Sequence, residues 1–440
     1  MLASAFASAA VGFTPATHAS ARHAQVGDAR HTIAPMMELR TRMLGFSDIE
    51  VSELALGTQR WGSADFNAPD KAQCHKMLDL AVERGVNFVD TAEQYPIPSG
   101  PGKPEGSTED IIGSWLAQGK ARREQLVIAS KITGGGNVTP RNIEADLEGT
   151  LRRLGTDYLD VYLLHWPARY TPQANWGQSL EYNFINGKYA GPRTSFEEIA
   201  GAMGKLVAAG KIRGWGMCND NTYGLMGSIM AARELGVEPP CVMQNDYSII
   251  NRRIEENGLS EASAPWNEDV GFLAYNTLAG GVLTGKYLDV PASPDDPNRP
   301  RALANSIKKR GRMDEPSWGR TLYRYRSGPA TEATQAYAAL AEEAGLSLTE
   351  LSLRWCRSRN VVSSALLGHT SIPQLEESLD IFSAPPMVEF DDDAQIQYYL
   401  PEDLLWEIDR VHMRNRLPIF SSTRTQPGQM GRGEIGENIP

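Results

Sequence analysis

Residues 126–165 have the sequence LVIASKITGGGNVTPRNIEADLEGTLRRLGTDYLDVYLLH, and this stretch decides the fold class. Two apolar runs of strand length, Leu126–Ile132 and Leu159–His165, flank a longer segment with helical periodicity, Pro140–Arg153. A Thr-Pro pair begins that segment as an N-cap followed by proline, and Gly155 lies where the helix should end. The stretch therefore predicts a strand–helix–strand unit with parallel strands.

The same alternation continues on both sides of this unit. Six further apolar runs follow the strand pattern: Val51–Gly57, Asn87–Thr91, Ile212–Met217, Cys241–Asn245, Gly271–Tyr275 and Ser363–Gly368. The helix-like segments between them are Asp70–Arg84, Thr108–Ala117, Phe196–Ala209, Tyr223–Leu235, Thr331–Ala344 and Leu348–Arg357. Eight buried-type strands joined by helices predict an α/β fold, a TIM (β/α)8 barrel. A doubly wound open sheet is the alternative, but no GxGxxG motif follows the first strand.

Composition excludes several classes of function. The 440 residues include 43 Lys and Arg against 54 Asp and Glu, a formal net charge of −11, so we expect no general affinity for nucleic acid or anionic membranes. No run of about 18 apolar residues occurs, so we expect no membrane-spanning helix. The four cysteines form neither a CxxC pair nor a metal-finger spacing, which is typical of free thiols in a reducing compartment.

The two ends differ from the middle of the chain. Residues 1–36 are rich in Ala, Ser, His and Arg, and no acidic residue precedes Asp28. This composition predicts a transit peptide, for a plastid rather than a mitochondrion, with a disordered extension of a cytoplasmic protein as the alternative. We expect the barrel to span residues 37–416 and residues 417–440, rich in Gly and polar types, to form a flexible tail.

Two connections exceed the usual loop length. One runs from Trp166 to Thr194 after strand four, and the other from Lys286 to about Gly328 after strand seven. Both follow the carboxyl ends of strands, so both are placed to cover a ligand.

Polar residues repeatedly follow the apolar runs. Asp90 ends strand two, Lys131 lies at the end of strand three, and His165 ends strand four. Cys218-Asn219, Gln244-Asn245 and Tyr275-Asn276 follow strands five to seven in the same way. Because the carboxyl ends of barrel strands share one mouth, where barrel enzymes carry their chemistry, we expect these side chains to converge.

Several of these motifs resemble those of the aldo-keto reductase superfamily. The segment Phe88–Tyr95, FVDTAEQY, has Asp and Tyr five residues apart, and Lys131 in ASKI and His165 in LLHWP follow in order. The resemblance covers roughly residues 39–416. The run NDYSIINR, the run LTGKY and the long loop after His165 are most similar to the bacterial Tas-type branch, which is related to potassium-channel β subunits.

The resemblance implies NADPH-dependent reduction of a small-molecule aldehyde or ketone to an alcohol, with Tyr95 as the proton donor. Hydride delivery builds negative charge on the carbonyl oxygen, and a positioned acid must neutralise it. A tyrosine with a pKa of about 10 is a weak donor unless a nearby cation and a dry site lower its pKa. Lys131 is expected to supply that cation, Asp90 to hold the lysine charged, and His165 to hydrogen-bond the carbonyl oxygen.

The resemblance also implies a site for NADPH or NADP+. Asn219 and Gln244 would hydrogen-bond the nicotinamide carboxamide, and Tyr275 would stack on its ring. Cys218 stands where the family usually has Ser, and a thiol is a weaker donor. The other positions implied in the cofactor site are Gly57, Thr58, Trp61, Asp90 and Asn276, then Leu278, Gly280 and Lys286 along the pyrophosphate, and Gly368, Thr370, Gln374, Glu377 and Ser378 towards the adenosine.

The usual contacts to the 2′-phosphate are missing. Gly368 and Gln374 stand where many members have Lys and Arg. Arg301, or its neighbour Arg299, resembles the arginine that the channel-subunit relatives use instead. We therefore predict a preference for NADPH over NADH that depends on Arg301, assisted by Lys286.

Two other functions fit parts of the sequence. An NADPH-binding partner protein with a redox-sensing role, similar to the channel β subunits, is one, although all four catalytic residue types are present here. A Schiff-base aldolase with Lys131 as nucleophile is the other, and it leaves the residues after strands five to eight unexplained. Aromatic residues of the strand-four insertion suggest an apolar or aromatic carbonyl substrate: Trp166, Tyr170, Trp176 and Tyr182. No oligomeric state follows from the sequence.

Overall fold

The computed structural model describes residues 39–119, 121, 123–171, 182–190, 193–288, 311–314, 318, 325, 327–389 and 397–420. Eight parallel strands close a barrel in the order β10-β3-β4-β5-β6-β7-β8-β9. They are β3 (Leu54–Gly57), β4 (Phe88–Asp90), β5 (Val127–Ile132), β6 (Leu159–Leu164), β7 (Ile212–Cys218), β8 (Val242–Asp246), β9 (Gly271–Tyr275) and β10 (Ser364–Leu367). The predicted fold class is therefore confirmed.

Alternating residues of seven of the eight barrel strands enter two different apolar clusters, and β7 contributes only to the outer one. Val127 and Ala129 of β5 pack inside the barrel, while Ile128 and Ile132 pack against the surrounding helices. Because both faces of the sheet are covered, the strands appear in the sequence as continuous apolar runs rather than as alternating ones.

The helices mostly lie where the periodicity predicts them. They are α1 (Lys71–Glu83), α2 (Ser107–Leu116), α3 (Pro140–Leu154), α4 (Phe184–Tyr189), α5 (Phe196–Ala208), α6 (Thr222–Leu235), α7 (Arg253–Glu256), α8 (Leu259–Ala262), α9 (Gly328–Glu343), α10 (Leu348–Arg357), α11 (Ile372–Phe382) and α12 (Glu402–Arg414). The hydroxyl of Thr139 caps α3 by accepting from the Asn142 backbone N–H, and α3 ends at Gly155 with φ of +69°. The sequence patterns did not predict α4, α7, α8, α11 or α12. None of the helices in the described ranges combines the length and the apolar character that a membrane crossing requires.

The apolar run Val51–Gly57 is not one strand, as the sequence led us to expect. It is divided at Glu53 between β3 and the second strand of a hairpin, β1 (Thr41–Met43) with β2 (Glu50–Ser52). Leu44, Ile49 and Val51 of the hairpin join the apolar cluster inside the barrel. The hairpin therefore covers the amino-terminal end of the barrel.

The two long connections begin at the opposite end of the barrel. The β6–α5 connection follows Leu164 and the β9–α9 connection follows Tyr275, both at carboxyl ends of strands. The last described residues, Pro418–Phe420, form a 3-10 turn with Ile419 fully buried. The Ser327 hydroxyl donates to the Pro418 carbonyl at 3.2 Å. The packed chain thus continues past residue 416, where the sequence predicted its end.

Candidate active site

Four buried side chains meet at the carboxyl end of the barrel. Asp90 ends β4, Lys131 lies one residue before the end of β5, His165 directly follows β6, and Tyr95 lies in the loop between β4 and α2. Asp90 is in register with Ala129 of β5. Because side chains on one face of a strand recur every second residue, Lys131 is the next inward position beyond Ala129 and comes beside Asp90.

The ammonium group of Lys131 lies at the centre of this cluster. Its Nζ donates to Asp90 Oδ1 at 2.6 Å, to the Thr91 carbonyl at 2.7 Å and to the Tyr95 hydroxyl at 3.5 Å. These acceptors use all of its hydrogens. The arrangement holds a cation against the tyrosine hydroxyl in a region from which water is excluded.

Burial and charge oppose one another at this ion pair. Burial lowers the pKa of Lys131, but the neighbouring Asp90 and Tyr95 outweigh burial and raise the pKa above its ordinary value. Burial raises the pKa of Asp90, while Lys131 and a hydrogen bond from Gln244 oppose that rise. Lys131 therefore keeps its proton at neutral pH. A Schiff-base nucleophile needs a neutral amine, so this state counts against the aldolase alternative.

Tyr95 does not have the lowered pKa that we expected from the sequence. Burial raises the pKa of Tyr95 to about 12, and the opposing effect of Lys131 is smaller. The expectation was wrong because desolvation penalises the phenolate more than one cation at 3.5 Å favours it. Tyr95 is thus protonated at neutral pH, which is the state that a proton donor needs.

His165 packs against two aromatic rings at the mouth. Its ring lies 5.6 Å from the Tyr95 ring, edge to face, and 6.0 Å from the Trp166 ring, nearly parallel. Burial, together with the charge of Lys131, holds the pKa of His165 well below its ordinary value. The imidazole is therefore neutral near pH 7 and has one N–H to donate.

A second group of polar side chains continues from Asp90. Gln244 Nε2 donates to Asp90 Oδ2 at 2.7 Å, and the Cys218 thiol donates to Gln244 Oε1 at 3.4 Å. Burial raises the pKa of Cys218 more than Lys131 lowers it, so the thiol keeps the hydrogen that it donates. Cys218 and Gln244 are in register on adjacent strands. This pair connects the ends of β7 and β8 to the Asp90 carboxylate.

Asn219 joins three neighbouring strand ends. Its Nδ2 donates to the His165 carbonyl at 2.9 Å and to Cys218 Sγ at 3.2 Å, and its Oδ1 accepts from the Tyr275 hydroxyl. Asn219 has φ of +57°, a conformation that asparagine tolerates better than most residues. The structure thus brings Cys218, Asn219, Gln244 and Tyr275 together beside the catalytic cluster. Both amide hydrogens of Asn219 are used within the protein.

The end of β3 closes the other side of the mouth. Gly57 is in register with Asp90, and both the backbone N–H and the hydroxyl of Thr58 donate to the Asp90 carbonyl, at 3.1 and 2.8 Å. Trp61 is buried, and its Nε1 has no hydrogen-bond partner among the described residues. Gly57 and Thr58 therefore lie beside Asp90, and Trp61 follows them in the same loop.

Tight backbone turns follow β9. Asn276 has φ of +55°, and Gly280 and Gly281 have φ of +64° and +96°. Leu278 precedes the two glycines, and Lys286 follows them in a half-buried position. Burial and the nearby charge of Arg60 lower the pKa of Lys286. The Lys286 side chain therefore lies close to two glycines whose backbone has positive φ.

The residues expected at the adenosine surround the start of α11. The Gln374 side-chain oxygen accepts from the Thr370 backbone N–H at 2.9 Å and from its hydroxyl at 3.1 Å. Gly368, Gln374 and Glu377 are exposed. Ser378 is buried, and its hydroxyl donates to the Gln374 carbonyl at 3.0 Å. Arg301 and Arg299 lie outside the described residues.

Sequence reasoning missed a group of residues that joins the loop after β3 to the β9–α9 connection. The Arg312 guanidinium lies 3.6 Å from the centre of the Trp318 ring and donates to Gln59 Oε1 at 2.6 Å. Asp65 accepts from Arg60 Nε at 3.0 Å and from Trp318 Nε1 at 2.9 Å. Arg312 and Gln59 are 253 residues apart, so no local motif could have paired them.

Several buried polar atoms near the carboxyl ends of the strands lack a hydrogen-bond partner within the described part of the chain, among them Trp61 Nε1, His165 Nδ1 and Thr277 Oγ1. Leaving such an atom unpaired costs about 1–3 kcal/mol. These atoms therefore fit a mouth whose polar groups are completed by a polar ligand, and the residues present are compatible with a nicotinamide cofactor.

Comparison with known proteins defines the class. Residues 53–393 match the model of the aldo/keto reductase family. The chain belongs to that family, whose members are oxidoreductases acting on small-molecule carbonyl compounds.

The particular relatives confirm the branch. "Protein tas" of Escherichia coli (strain K12) and of Shigella flexneri are each 33% identical to this chain over 377 residues, covering 83% of this chain and 95% of theirs. An uncharacterized oxidoreductase, YrpG, of Bacillus subtilis (strain 168) is 27% identical over 347 residues, covering 76% of this chain and 89% of its own. The resemblance to the Tas-type branch is thereby confirmed.

Proposed function

We propose that this chain reduces an aldehyde or ketone to an alcohol with NADPH, and that Tyr95 donates the proton. The observation that carries the proposal is the buried contact in which Lys131 Nζ joins the Asp90 carboxylate and the Tyr95 hydroxyl. The family supports the reductive chemistry, and the meeting of these four residue types at the carboxyl ends of three adjacent strands supports the assignment of roles.

The side chains can manage the charge that develops on a carbonyl oxygen. Tyr95 holds its proton until negative charge builds on that oxygen, and then transfers it. Lys131 stabilises the phenolate that is left behind, and Asp90 keeps Lys131 in place. Neutral His165 donates a hydrogen bond that orients the carbonyl oxygen.

NADPH supplies the hydride when bound. Asn219, Gln244 and Tyr275 would hold its nicotinamide, beside Asp90 and Trp61. The residues that would hold the rest of the cofactor are Leu278, Gly280 and Lys286 at the pyrophosphate, Gly368, Thr370, Gln374, Glu377 and Ser378 at the adenosine, and Arg301 at the 2′-phosphate. The unpartnered atoms of Trp61 and His165 and the half-buried Lys286 support a polar, anionic ligand at this mouth.

The purified full-length protein tests the proposal directly. NADPH oxidation is followed with aldehydes, ketones, quinones and sugars, and NADPH binding is measured separately by fluorescence. We expect turnover of at least one carbonyl compound, with an aromatic aldehyde among the better substrates. Protein that binds NADPH and turns over none of them would overturn the enzyme proposal and favour a redox-sensing partner.

We also propose that residues 1–36 direct the protein to a plastid, on the basis of their composition. Fusion of this segment to a fluorescent protein should move the reporter into plastids. A fusion that stays in the cytosol would contradict the proposal.

A further inference from the structure

Residues 165–171, the segment that follows β6, make two polar contacts with the turn that follows β7. At its start, the His165 carbonyl accepts from Asn219 Nδ2 at 2.9 Å. Four residues later, Arg169 makes a two-pronged ion pair with Asp220, with Nη1 to Oδ2 at 2.8 Å and Nη2 to Oδ1 at 2.5 Å. The hydrogen bond and the ion pair are therefore made to adjacent residues, Asn219 and Asp220.

The surroundings of Asp220 accommodate and stabilise its carboxylate. Its side chain is only 3% exposed, and its Oδ1 accepts from the Asn221 backbone N–H at 2.7 Å, at the beginning of α6. A Cβ on Gly224 would come within 2.3 Å of the carboxylate oxygens, so glycine leaves the room that Asp220 needs. A carboxylate is favoured at a helix amino terminus, so α6 stabilises Asp220 in this position independently of Arg169.

The Arg169 guanidinium is held by rings as well as by charge. Its central carbon lies 5.4 Å from the centre of the Phe196 ring and 5.4 Å from that of the Tyr223 ring. A third donor contact reaches Asn221 Oδ1 at 3.3 Å. The rings restrict the plane of the guanidinium, and a lysine could reproduce the charge but not the planar fork.

Trp166 lies in the sequence between His165 and Arg169, the two residues that make these contacts. Its ring stacks on the His165 ring at 6.0 Å, and a Cβ on Gly134 would come within 2.1 Å of Trp166 Cβ. The backbone of Trp166 is therefore pressed against the loop after β5, while Arg169 ties the same segment to the turn after β7. These two contacts restrict the position of Trp166 next to His165, whose ring in turn contacts Tyr95.

We infer that Arg169 is a positioning residue that determines substrate selection: its ion pair with Asp220 holds Trp166 against His165, and Trp166 provides the face on which an aromatic carbonyl compound binds next to Tyr95. The inference rests on the proposed carbonyl reduction for its substrate readout. The placement of the segment itself is a separate property that can be measured without turnover.

Arg169→Met removes the guanidinium but keeps an apolar stem between the two rings. For 2-naphthaldehyde we expect the KM to rise by up to about ten-fold, because the substrate loses its stacking contact with Trp166. For propanal, which needs no stacking face, KM and kcat should stay within about two-fold, and so should the Kd of NADPH. Arg169→Lys should fall between wild type and Arg169→Met.

The chain offers a matched control at the far end of the barrel. Arg42 pairs with Glu53 at 2.8 Å with side-chain exposures of 22% and 5%, against 21% and 3% for Arg169 and Asp220. Arg42→Met should leave the ratio of the two KM values unchanged. A ratio that changes equally in both variants would show a general loss of stability and would overturn the inference.

Hydrogen exchange of the full chain separates this inference from the proposed function. In Arg169→Met, the amides of residues 165–171 should exchange at least about ten-fold faster, because the opening of that segment loses its restraint, while those of α3 should not change. Wild-type exchange rates in the variant would overturn the positioning role. If wild-type protein reduces no carbonyl compound, the proposed function and the substrate readout fail together, and the exchange rates still decide whether Arg169 holds the segment.

Discussion

Two buried ion pairs lie at opposite ends of the barrel. Lys131 and Asp90 meet at 2.6 Å at the carboxyl end of the strands, and Arg357 and Glu53 meet at 3.0 Å at the amino end. None of the four side chains is more than 5% exposed. The two pairs are alike in depth and length but differ in how completely their charges are compensated.

At the amino end the carboxylate has more than one cation. Glu53 accepts from Arg42 as well as from Arg357, and Arg357 also donates to the Ile381 carbonyl at 2.8 Å and lies 3.6 Å from the centre of the Tyr399 ring. Burial raises the pKa of Glu53, but the two arginines outweigh it and hold the pKa below its ordinary value. This pair therefore favours the folded state.

At the carboxyl end, burial affects the pKa of the carboxylate more than its partners do. Asp90 has one lysine and the Gln244 amide, and burial still raises its pKa. Nδ1 of His165, which has no hydrogen-bond partner among the described residues, lies nearby. A fully compensated pair stabilises the fold, whereas a less compensated pair with shifted pKa values is typical of a functional site.

The largest expected effect comes from Tyr95→Phe, which removes one hydroxyl from the functional end. Turnover should fall by about 10²–10⁴-fold, the usual consequence of losing a general acid. The Kd of NADPH and the midpoint of urea unfolding should not change. Near-normal reduction by this variant would place the donor elsewhere, with His165 as the next candidate.

Removing one charge from each of the two ion pairs tests the difference between the two ends of the barrel. Lys131→Met and Glu53→Gln each leave a buried charge without its partner, so each should lower the free energy of unfolding by about 3–5 kcal/mol. Activity per folded molecule should be lost only in Lys131→Met. If Glu53→Gln also abolished turnover by the folded fraction, the division between a structural end and a catalytic end would be wrong.

Arg301, which lies outside the described residues, and Arg42 at the amino end of the barrel should differ in what they bind. If Arg301 contacts the 2′-phosphate, Arg301→Ala removes a charge-assisted contact of about 1.5–3 kcal/mol, so NADPH should bind about ten-fold more weakly or worse. Affinity for NADH should be nearly unchanged. Arg42→Ala at the amino end serves as the control and should alter neither Kd. Equal losses for NADPH and NADH in Arg301→Ala would show that this arginine does not contact the phosphate.

The smallest effect is a difference in pH dependence. Because the pKa of Glu53 is lower in the folded protein, its stabilisation is present above the unfolded value, about 4.3, and is lost as the pH falls through the folded pKa. Asp90 has a raised pKa, so its contribution has the opposite sign and is lost as the pH rises through the folded value. Urea midpoints between pH 6 and 3 should fall more steeply in wild type than in Glu53→Gln. Parallel curves for the two proteins would mean that Glu53 is not stabilised by its arginines.

The sequence alone was informative about strands and about the residues at their ends. The βαβ stretch at residues 126–165 predicted β5, α3 and β6 to within a residue or two, because strands covered on both faces appear as apolar runs. It was less informative where two elements share one apolar run, as at Glu53. Helices α11 and α12 were not predicted, although α11 is the helix that a TIM barrel has after its last strand, β10.

What the sequence determined by itself was the barrel and the identities of Asp90, Tyr95, Lys131 and His165, since strand ends of a closed parallel barrel must share one mouth. Only the tertiary structure decided which atoms meet there. It paired Arg169 with Asp220, 51 residues away, and it raised the pKa of Tyr95 instead of lowering it. Both outcomes depend on burial by distant parts of the chain, because the free energy of a charge is set by the solvent and the partners around it rather than by its neighbours in sequence.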